Sequence, residues 1–286
     1  MRRLQEAIQQ VEDFARKNDH IRGLVYQGSL VMKNGKIDRF TDVDPAFYVD
    51  DVGYFLNDES WIKQFGTPIA RFSDVGQNSD GMTWYTRLLL LKDGFKMDIS
   101  FHHVNNAKYI NEDPLYKVII DKDGIFPKNT SRESNFYVKE PTEQQFHDKL
   151  NEFFFDTSYV IKSLRRNELF FTRFMYGVLN EKIEALLSWY MGIKHDFKVN
   201  IGAKGRYFFD LLDSKVKSMV IDTFAGKTYT DNLEALYAYF DLVHYLGAYI
   251  EEHLGLSYLH HTEKAMRKYI DQVKDIPLKL DEEIAL

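Results

Sequence analysis

The sequence predicts an α+β protein, with strands and helices mixed in the N-terminal half and helices alone in the C-terminal half. Two observations support this prediction. Short apolar runs of strand length recur before residue 121, and Asp93-Gly94 between two of them is a strong hairpin signal. After Tyr137 the apolar residues change to helical spacing and continue in long runs.

The elements of the N-terminal half follow from two hydrophobic periods. Leu4, Ile8 and Val11 recur at helical spacing, which predicts an amphipathic first helix. The apolar runs that follow this helix are rich in β-branched and aromatic residues, which favours strands. Asp58 is a typical N-cap and predicts a short helix after it. The predicted elements are helices at residues 3–17 and 59–65 and strands at 21–26, 45–49, 83–91, 95–101 and 115–120.

The C-terminal half begins at a change in composition. The segment 139–141 carries two charges and a proline, and Thr142 has the chemistry of a helix cap. We therefore expect two domains, at residues 1–138 and 139–286, with a small-molecule cleft between them. The predicted helices of the second domain cover residues 146–165, 168–191, 204–212 and 233–254.

Composition narrows the class of function. The 286 residues include no cysteine, which excludes disulfides and thiolate chemistry. The net charge of −6 argues against broad nucleic-acid binding, and no apolar run approaches the ~20 residues of a membrane span. The N-terminal segment is polar and lacks the apolar core of a signal peptide. We expect a cytoplasmic protein that acts on a small molecule and has no nucleic-acid or membrane partner.

The central motif is a Gly28-Ser29 turn followed by Asp42 and Asp44 at the start of a strand. Because side chains alternate along a strand, both carboxylates point to the same face. Two like charges at this spacing repel each other and are usually retained where a divalent cation neutralises them. Gly28 allows backbone N–H groups to approach phosphate oxygens, and Ser29 adds a hydroxyl donor. The motif predicts a metal and nucleotide-phosphate site.

A third carboxylate, Asp98, lies on the predicted strand 95–101. It shares a polar face with Lys96 and Ser100, while the alternate positions of that strand are apolar. If this strand lies beside the strand of Asp42, three carboxylates converge. The third would complete a metal site or accept the proton of an attacking hydroxyl.

Other polar pairs have simpler interpretations. An Asp-x-Asp pair alone is equally compatible with a structural role. The second such pair, Asp121 and Asp123, is interpreted as a solvated turn because Gly124 follows it directly. Adjacent histidines diverge on a strand, so His102 and His103 are interpreted as surface or packing residues.

The turn and the paired carboxylates resemble the signature of the DNA polymerase β-like nucleotidyltransferase superfamily. Within it, the chain is similar along nearly its whole length to the aminoglycoside 6-adenylyltransferase (streptomycin adenylyltransferase) family. The stretches that carry this closer resemblance are 61–66, 93–99, 120–124, 151–154 and 159–169. The resemblance implies an N-terminal nucleotidyltransferase domain, with a mixed β-sheet flanked by helices, and a C-terminal all-helical bundle domain that binds the substrate.

The resemblance also implies a reaction. It is the Mg²⁺-dependent transfer of AMP from ATP to a hydroxyl of a streptomycin-like aminoglycoside, which releases pyrophosphate and confers resistance. The implied residues are Asp42, Asp44 and Asp98 for metal binding and catalysis, Gly28, Ser29, Arg39 and Lys162 for the nucleotide, and Glu152, Tyr159 and Glu168 for the acceptor. Asp98 is the first candidate for the general base, and the alternative candidates are Glu140, Glu152 and Glu168.

The chain departs from the family pattern at three places. Leu30 stands where an arginine usually follows the turn, Thr41 replaces a glutamine, and Phe153-Phe154 replaces an aromatic pair with tryptophan. These changes leave two alternatives open. One is a nucleotidyltransferase of the same fold with another acceptor, such as a different antibiotic, a metabolite or a protein. The other is a nucleotide-binding module without turnover. The retained carboxylates Asp42, Asp44 and Asp98 disfavour this second alternative.

Overall fold

The chain divides into two compact units, Met1–Asn135 (the first unit) and Phe136–Leu286 (the helical unit). The structure is a computed structural model that describes residues 4–32, 37–77 and 81–277, without the side chain of Ser29. The predicted α+β class is confirmed, because strands occur in the first unit while the described part of the helical unit contains only helices. The roles assigned to the two domains, and the location in the cytoplasm, stay predictions.

A six-stranded mixed sheet forms the first unit. Its strands are β1 (Ile21–Gln27), β2 (Pro45–Val49), β3 (Pro68–Gln77), β4 (Thr83–Leu91), β5 (Lys96–His103) and β6 (Tyr116–Asp121). Their order is β3-β4-β5-β2-β1-β6, and β2 and β5 are parallel while the other neighbours are antiparallel. The predicted hairpin is confirmed: β4 pairs with β5, and the Leu91 N–H donates to the Phe95 carbonyl at 2.9 Å.

One face of the sheet carries the main core of the first unit. Helix α1 (Leu4–Lys17) buries Val11 and Phe14 there, since apolar residues at helical spacing share one side. The Phe14 and Phe47 rings meet edge to face at 5.5 Å. Helix α2 (Val52–Asn57) and a 3₁₀ helix at Glu59–Gln64 add to this core.

The opposite face of the sheet is packed more thinly. A small cluster that includes Val25, Ala46 and Tyr48 lies there with residues of a 3₁₀ helix at Val104–Glu112. Because Asp44 is two residues before Ala46, its side chain belongs to this second face. The candidate site therefore lies on the side of the sheet that the main core leaves open.

The helical unit is built from long apolar helices around one core. Its helices are α3 (Glu143–Arg165), α4 (Leu169–Lys194), α5 (Phe208–Leu211), α6 (Ser214–Asp222), α7 (Tyr229–Leu254) and α8 (His260–Val273). The predicted cap is confirmed: Thr142 and Gln145 form a reciprocal capping box that begins α3. Gly255, at a left-handed φ of 70°, ends α7.

Several elements differ from the sequence prediction. The single helix predicted at residues 204–212 is wrong, because Lys204 has a left-handed φ of 55° and leaves only a 3₁₀ turn and the four-residue α5. The helix predicted at 59–65 is a 3₁₀ helix. Strand β3 was not predicted, while helices α6 and α8 lie in the half predicted to be helical but outside its four predicted helices. All residues of β3 are exposed or half-buried, so it has no strand-like apolar alternation.

None of the helices in the described residues is long and apolar enough to cross a membrane.

Candidate active site

The turn after β1 lies over the carboxylates. Gly28 has a left-handed φ of 65° and opens a 3₁₀ turn through Leu30. A Cβ placed on Gly28 would lie 3.8 Å from Oδ2 of Asp44, so turn and carboxylate are neighbours. Leu30, at the family's arginine position, packs against the main core. It therefore contributes no charge to this turn.

Asp44 and Asp98 are brought together by the parallel pairing of β2 with β5. Ala46 is the partner of Ser100, and an isolated bridge joins Val43 to Met97, so two residues earlier in each strand Asp44 faces Asp98. The expected adjacency of the two strands is thus confirmed. Only the long-range pairing creates this neighbourhood, because 54 positions separate the two residues.

Lys96 connects the other two carboxylates. Its Nζ lies 2.7 Å from Oδ2 of Asp98 and 3.3 Å from Oδ2 of Asp42. Burial lowers the pKa of Lys96, but the hydrogen bonds and charges of Asp98 and Asp42 outweigh burial and raise it above its usual value. The ammonium group therefore stays protonated and offsets part of the repulsion among the carboxylates.

Asp44 is the least satisfied of the three. Burial, followed by the negative charge of Asp98, raises its pKa to about 6, while Lys96 opposes the shift. Oδ1 of Asp44 and Oδ1 of Asp98 are both buried and have no hydrogen-bond partner among the described residues. Two adjacent carboxylate oxygens without donors are suited to a cation, and hard cations such as Mg²⁺ prefer oxygen ligands.

Among its described residues, the candidate site does not form a ready-made cluster of three metal ligands. Within the described ranges, no three His, Cys, Asp or Glu side chains are arranged to hold a metal ion. Asp42 instead points its Oδ2 to Lys96. The part of the site that fits a cation is therefore the pair of unpartnered oxygens on Asp44 and Asp98, open to further ligands from a substrate.

Thr41 closes the turn that leads into Asp42. Its side-chain oxygen accepts a hydrogen bond from the Asp38 N–H at 2.8 Å, and the residue is buried. The carboxylate of Asp38 in turn accepts from the Phe40 N–H at 2.7 Å. Arg39, predicted to bind the nucleotide, is exposed and stacks on the Phe40 ring at 4.7 Å.

A cavity of about 540 Å³ opens beside Asp44 and Asp98. Ring side chains form one of its walls: His102 stacks between Tyr48 at 4.9 Å and Trp84 at 5.5 Å. Burial lowers the pKa of His102 to about 4, so this imidazole is neutral at pH 7. Its Nε2 lies 3.1 Å from the hydroxyl of Ser100. The prediction of a packing histidine fits this ring stack.

The same cavity is lined by further residues that sequence reasoning missed. Asn106, Glu112 and Asp113 lie there, in or next to the 3₁₀ helix at Val104–Glu112. Gln27, the last residue of β1, donates from Nε2 to Oδ2 of Asp113 at 2.6 Å. No motif marks these residues, so only their position in the fold identifies them.

Two of the predicted acceptor-binding residues lie on one face of α3. Glu152 lies 2.6 Å from Nζ of Lys149 and lines a second cavity, of about 600 Å³, within the helical unit. Glu140, a reserve for the general base, lines the same cavity. Tyr159 is two turns further along and packs edge to face against Phe155 at 5.6 Å.

The other two predicted residues of the helical unit lie elsewhere. Lys162 lines a small cavity of about 150 Å³ with Arg165 and Arg166. Glu168 is exposed directly before α4, where its backbone carbonyl accepts from the Thr172 N–H. The described structure therefore does not bring Glu152, Lys162 and Glu168 to one cavity of the helical unit.

Comparison with known proteins gives consistent descriptions. The family model for streptomycin adenylyltransferase matches residues 1–273. An aminoglycoside 6-adenylyltransferase of Staphylococcus aureus is 30% identical over 236 residues, which cover 80% of this chain and 84% of that protein. A protein of the same name from Bacillus subtilis strain 168 is 26% identical over 285 residues, with coverages of 96% and 98%. A crystal structure of an aminoglycoside 6-adenyltransferase from Bacillus subtilis has a TM-score of 0.49 and 22% identity, covering 96% of this chain and 100% of that one.

Proposed function

The chain belongs to the streptomycin adenylyltransferase family, and on that premise we propose that it transfers AMP from ATP to a hydroxyl of an aminoglycoside. It is a nucleotidyltransferase, since the family model matches nearly the whole chain. The proposed acceptor is streptomycin-like, the proposed cofactor is Mg²⁺, and the proposed outcome is resistance to the drug.

One observation supports this proposal most directly. Asp44 and Asp98 face each other on paired strands under the Gly28 turn, and each has a buried oxygen without a partner in the described chain. This arrangement places a cation-binding pair beside a backbone turn that suits phosphate groups. Asp44 and Asp98 would hold Mg²⁺, and Asp42 would join them only if its Oδ2 left Nζ of Lys96, which lies 3.3 Å away. The ion would neutralise the triphosphate and the charge that develops during transfer.

The proposed reaction divides the tasks among the chain's own residues. The acceptor oxygen forms a bond to the α-phosphorus of ATP, the bond from that phosphorus to the bridging oxygen breaks, and pyrophosphate leaves. The Gly28 turn orients the phosphates, with Ser29 as a donor. Asp98 is the first choice of general base, through its Oδ2, which would have to leave Nζ of Lys96 to accept the proton of the attacking hydroxyl. Glu140, Glu152 and Glu168 remain the alternative candidates for the general base.

The helical unit supplies further residues in this proposal. Glu152 provides negative charge for a cationic acceptor, and Tyr159 and Glu168 are assigned to the same partner. Lys162 is assigned to a phosphate, which its basic neighbours Arg165 and Arg166 favour. Arg39 is assigned to the nucleotide, although its contact with Phe40 must break for it to reach a phosphate.

The reaction is tested by pyrophosphate release from ATP. The full-length protein is assayed with Mg²⁺, with and without streptomycin, and with a small panel of other aminoglycosides. We expect release that requires both streptomycin and Mg²⁺ and stops when the metal is chelated. Release with another aminoglycoside alone would keep the reaction and change the acceptor. Tight ATP binding without release for any acceptor would contradict the enzymatic proposal for these acceptors.

A further inference from the structure

We propose that the cavity of the first unit binds one cationic group of the acceptor, with Asp113 as its anionic anchor and Asn106 as a neutral hydrogen-bond acceptor. The inference rests on the proposed function and refines it, because it states where an amine or guanidinium of the aminoglycoside is recognised. Sequence reasoning had placed acceptor recognition in the helical unit alone.

The charges of the cavity select for a cation. Four carboxylates line it, those of Asp44, Asp98, Glu112 and Asp113, and Asp98 is paired with Lys96, which lies outside the lining. The described residues that line the cavity include no lysine or arginine. His102 adds no positive charge, because burial lowers its pKa to about 4 and leaves the ring neutral at pH 7. A cationic group is therefore attracted to the carboxylates of this cavity.

Asp113 is held in place by a neutral donor, and the described residues form no ion pair with it. Its Oδ2 accepts from Nε2 of Gln27 at 2.6 Å, which orients the carboxylate without supplying charge. Burial raises the pKa of Asp113, the hydrogen bond from Gln27 lowers it, and the nearby charge of Glu112 raises it, with a net increase. An approaching ammonium or guanidinium would stabilise this charge by a direct ion pair.

Asn106 gives a second observation that does not depend on charge. Its side chain lines the cavity, and the residue is only 4% exposed. Nδ2 donates to the Thr83 carbonyl at 3.1 Å, but Oδ1 has no partner among the described residues. A buried amide oxygen without a donor is unfavourable. Ammonium and guanidinium groups are donors only, and so they match this oxygen.

The ring wall suits the same kind of ligand. Trp84, His102 and Tyr48 stack across three strands and line the cavity. Aromatic rings attract nearby cations and pack against the apolar faces of sugar-like rings. Since the cavity also reaches Asp44 and Asp98, an acceptor anchored at Asp113 would be held next to the carboxylates of the reaction.

The test compares Asp113→Asn with the wild-type protein. Asparagine keeps the shape and can still accept the hydrogen bond from Gln27, so only the charge is removed. In the pyrophosphate assay we expect the KM for streptomycin to rise by about tenfold to a hundredfold, with kcat and the KM for ATP close to wild type. Asp113→Glu should recover part of the affinity. Asp50→Asn is the matched control, because its exposed carboxylate in the same unit pairs only with His20 among the ion pairs found.

A second measurement separates this inference from the proposed function. Calorimetric titration with streptomycin in the absence of ATP reports binding without turnover. Weaker binding by Asp113→Asn supports the subsite even if the wild-type protein releases no pyrophosphate. Normal turnover and an unchanged streptomycin KM in Asp113→Asn would overturn the subsite and leave the reaction standing. A rise in the KM for ATP alone would also overturn it, since the cavity would then serve the nucleotide.

Discussion

Two buried carboxylate environments in this protein are built in opposite ways. Glu263 of α8 is 7% exposed and accepts hydrogen bonds from His244, Tyr258 and Arg267 at 2.8–2.9 Å. Asp44 in the first unit has a buried oxygen with no partner in the described chain and faces Asp98. Burial raises both pKa values, but the donors around Glu263 reverse the effect and lower its pKa, whereas Asp44 remains raised. The contrast separates a carboxylate whose hydrogen bonds are satisfied by the fold from one whose buried oxygen has no donor among the described residues.

The largest expected effect is on catalysis in Asp44→Asn. Loss of the charge that binds Mg²⁺ should lower pyrophosphate release by about 10³-fold or more. The same change relieves repulsion with Asp98, so the free energy of unfolding at pH 7 should rise by about 1–2 kcal/mol. Activity and urea unfolding are measured on the same preparation, with Asp50→Asn as the control. Near-normal activity would refute the metal-site assignment.

Glu263→Gln should give the converse result. Three donors lose a charged acceptor in a buried setting, and we expect the free energy of unfolding to fall by about 2–3 kcal/mol. Pyrophosphate release below the unfolding temperature should be unchanged, because Glu263 is not part of the proposed site. If Glu263→Gln kept the full free energy of unfolding, or lost kcat without losing stability, the distinction between the environments of Glu263 and Asp44 would be refuted.

The pH dependence of stability should differ in sign and in window. For Asp44, a folded-state pKa of about 6 lies above the usual value of 3.8, so the folded state binds its proton first and gains stability as the pH falls from about 6 to 4. Glu263 has a lowered pKa, so its contribution is present above its usual pKa of 4.5 and is lost only at lower pH. Unfolding free energies of the two variants and the wild type, measured from about pH 3 to about pH 8, would show this. If the difference in unfolding free energy from the wild type changes over the same pH range for both variants, the contrast between Asp44 and Glu263 is wrong.

The smallest expected effect concerns Lys96. Lys96→Met removes the only cation that ion-pairs with Asp42 and Asp98 in the described structure, so the carboxylates depend more on an added ion. We expect a loss of about 1 kcal/mol in the absence of metal and a larger rise in Tm on adding Mg²⁺ than for the wild type. Calcium serves as a second ion in the thermal melts. Equal shifts in variant and wild type would show that Lys96 does not compete with a metal.

Local patterns predicted much of the fold. The first helix, the Asp-Gly hairpin and the Thr142 cap depend on residues close together in sequence, and the structure has all three. Prediction failed where the sequence carries no local signal for an element, or where the local signal indicates a different element from the one that forms. Strand β3 lies at a sheet edge and has little buried surface, so it lacks an apolar pattern. Lys204 takes a left-handed conformation within a segment whose sequence pattern predicts a continuous helix.

The sequence by itself determined the family of the protein and indicated the residues of the candidate site, namely the Gly28 turn and the pair of Asp42 and Asp44. Asp98 could be placed on a polar strand face, but not beside Asp44, because period-2 alternation identifies a face and never the neighbouring strand.

Only the tertiary structure decided which side chains share the cavity. Lys96 between two carboxylates, the ring stack of His102, and the pair of Gln27 with Asp113 all join residues that are distant in sequence or carry no motif. The physical reason is that unsatisfied charge and unpaired hydrogen-bonding groups are properties of an environment. They exist only after folding has removed water and placed distant residues side by side.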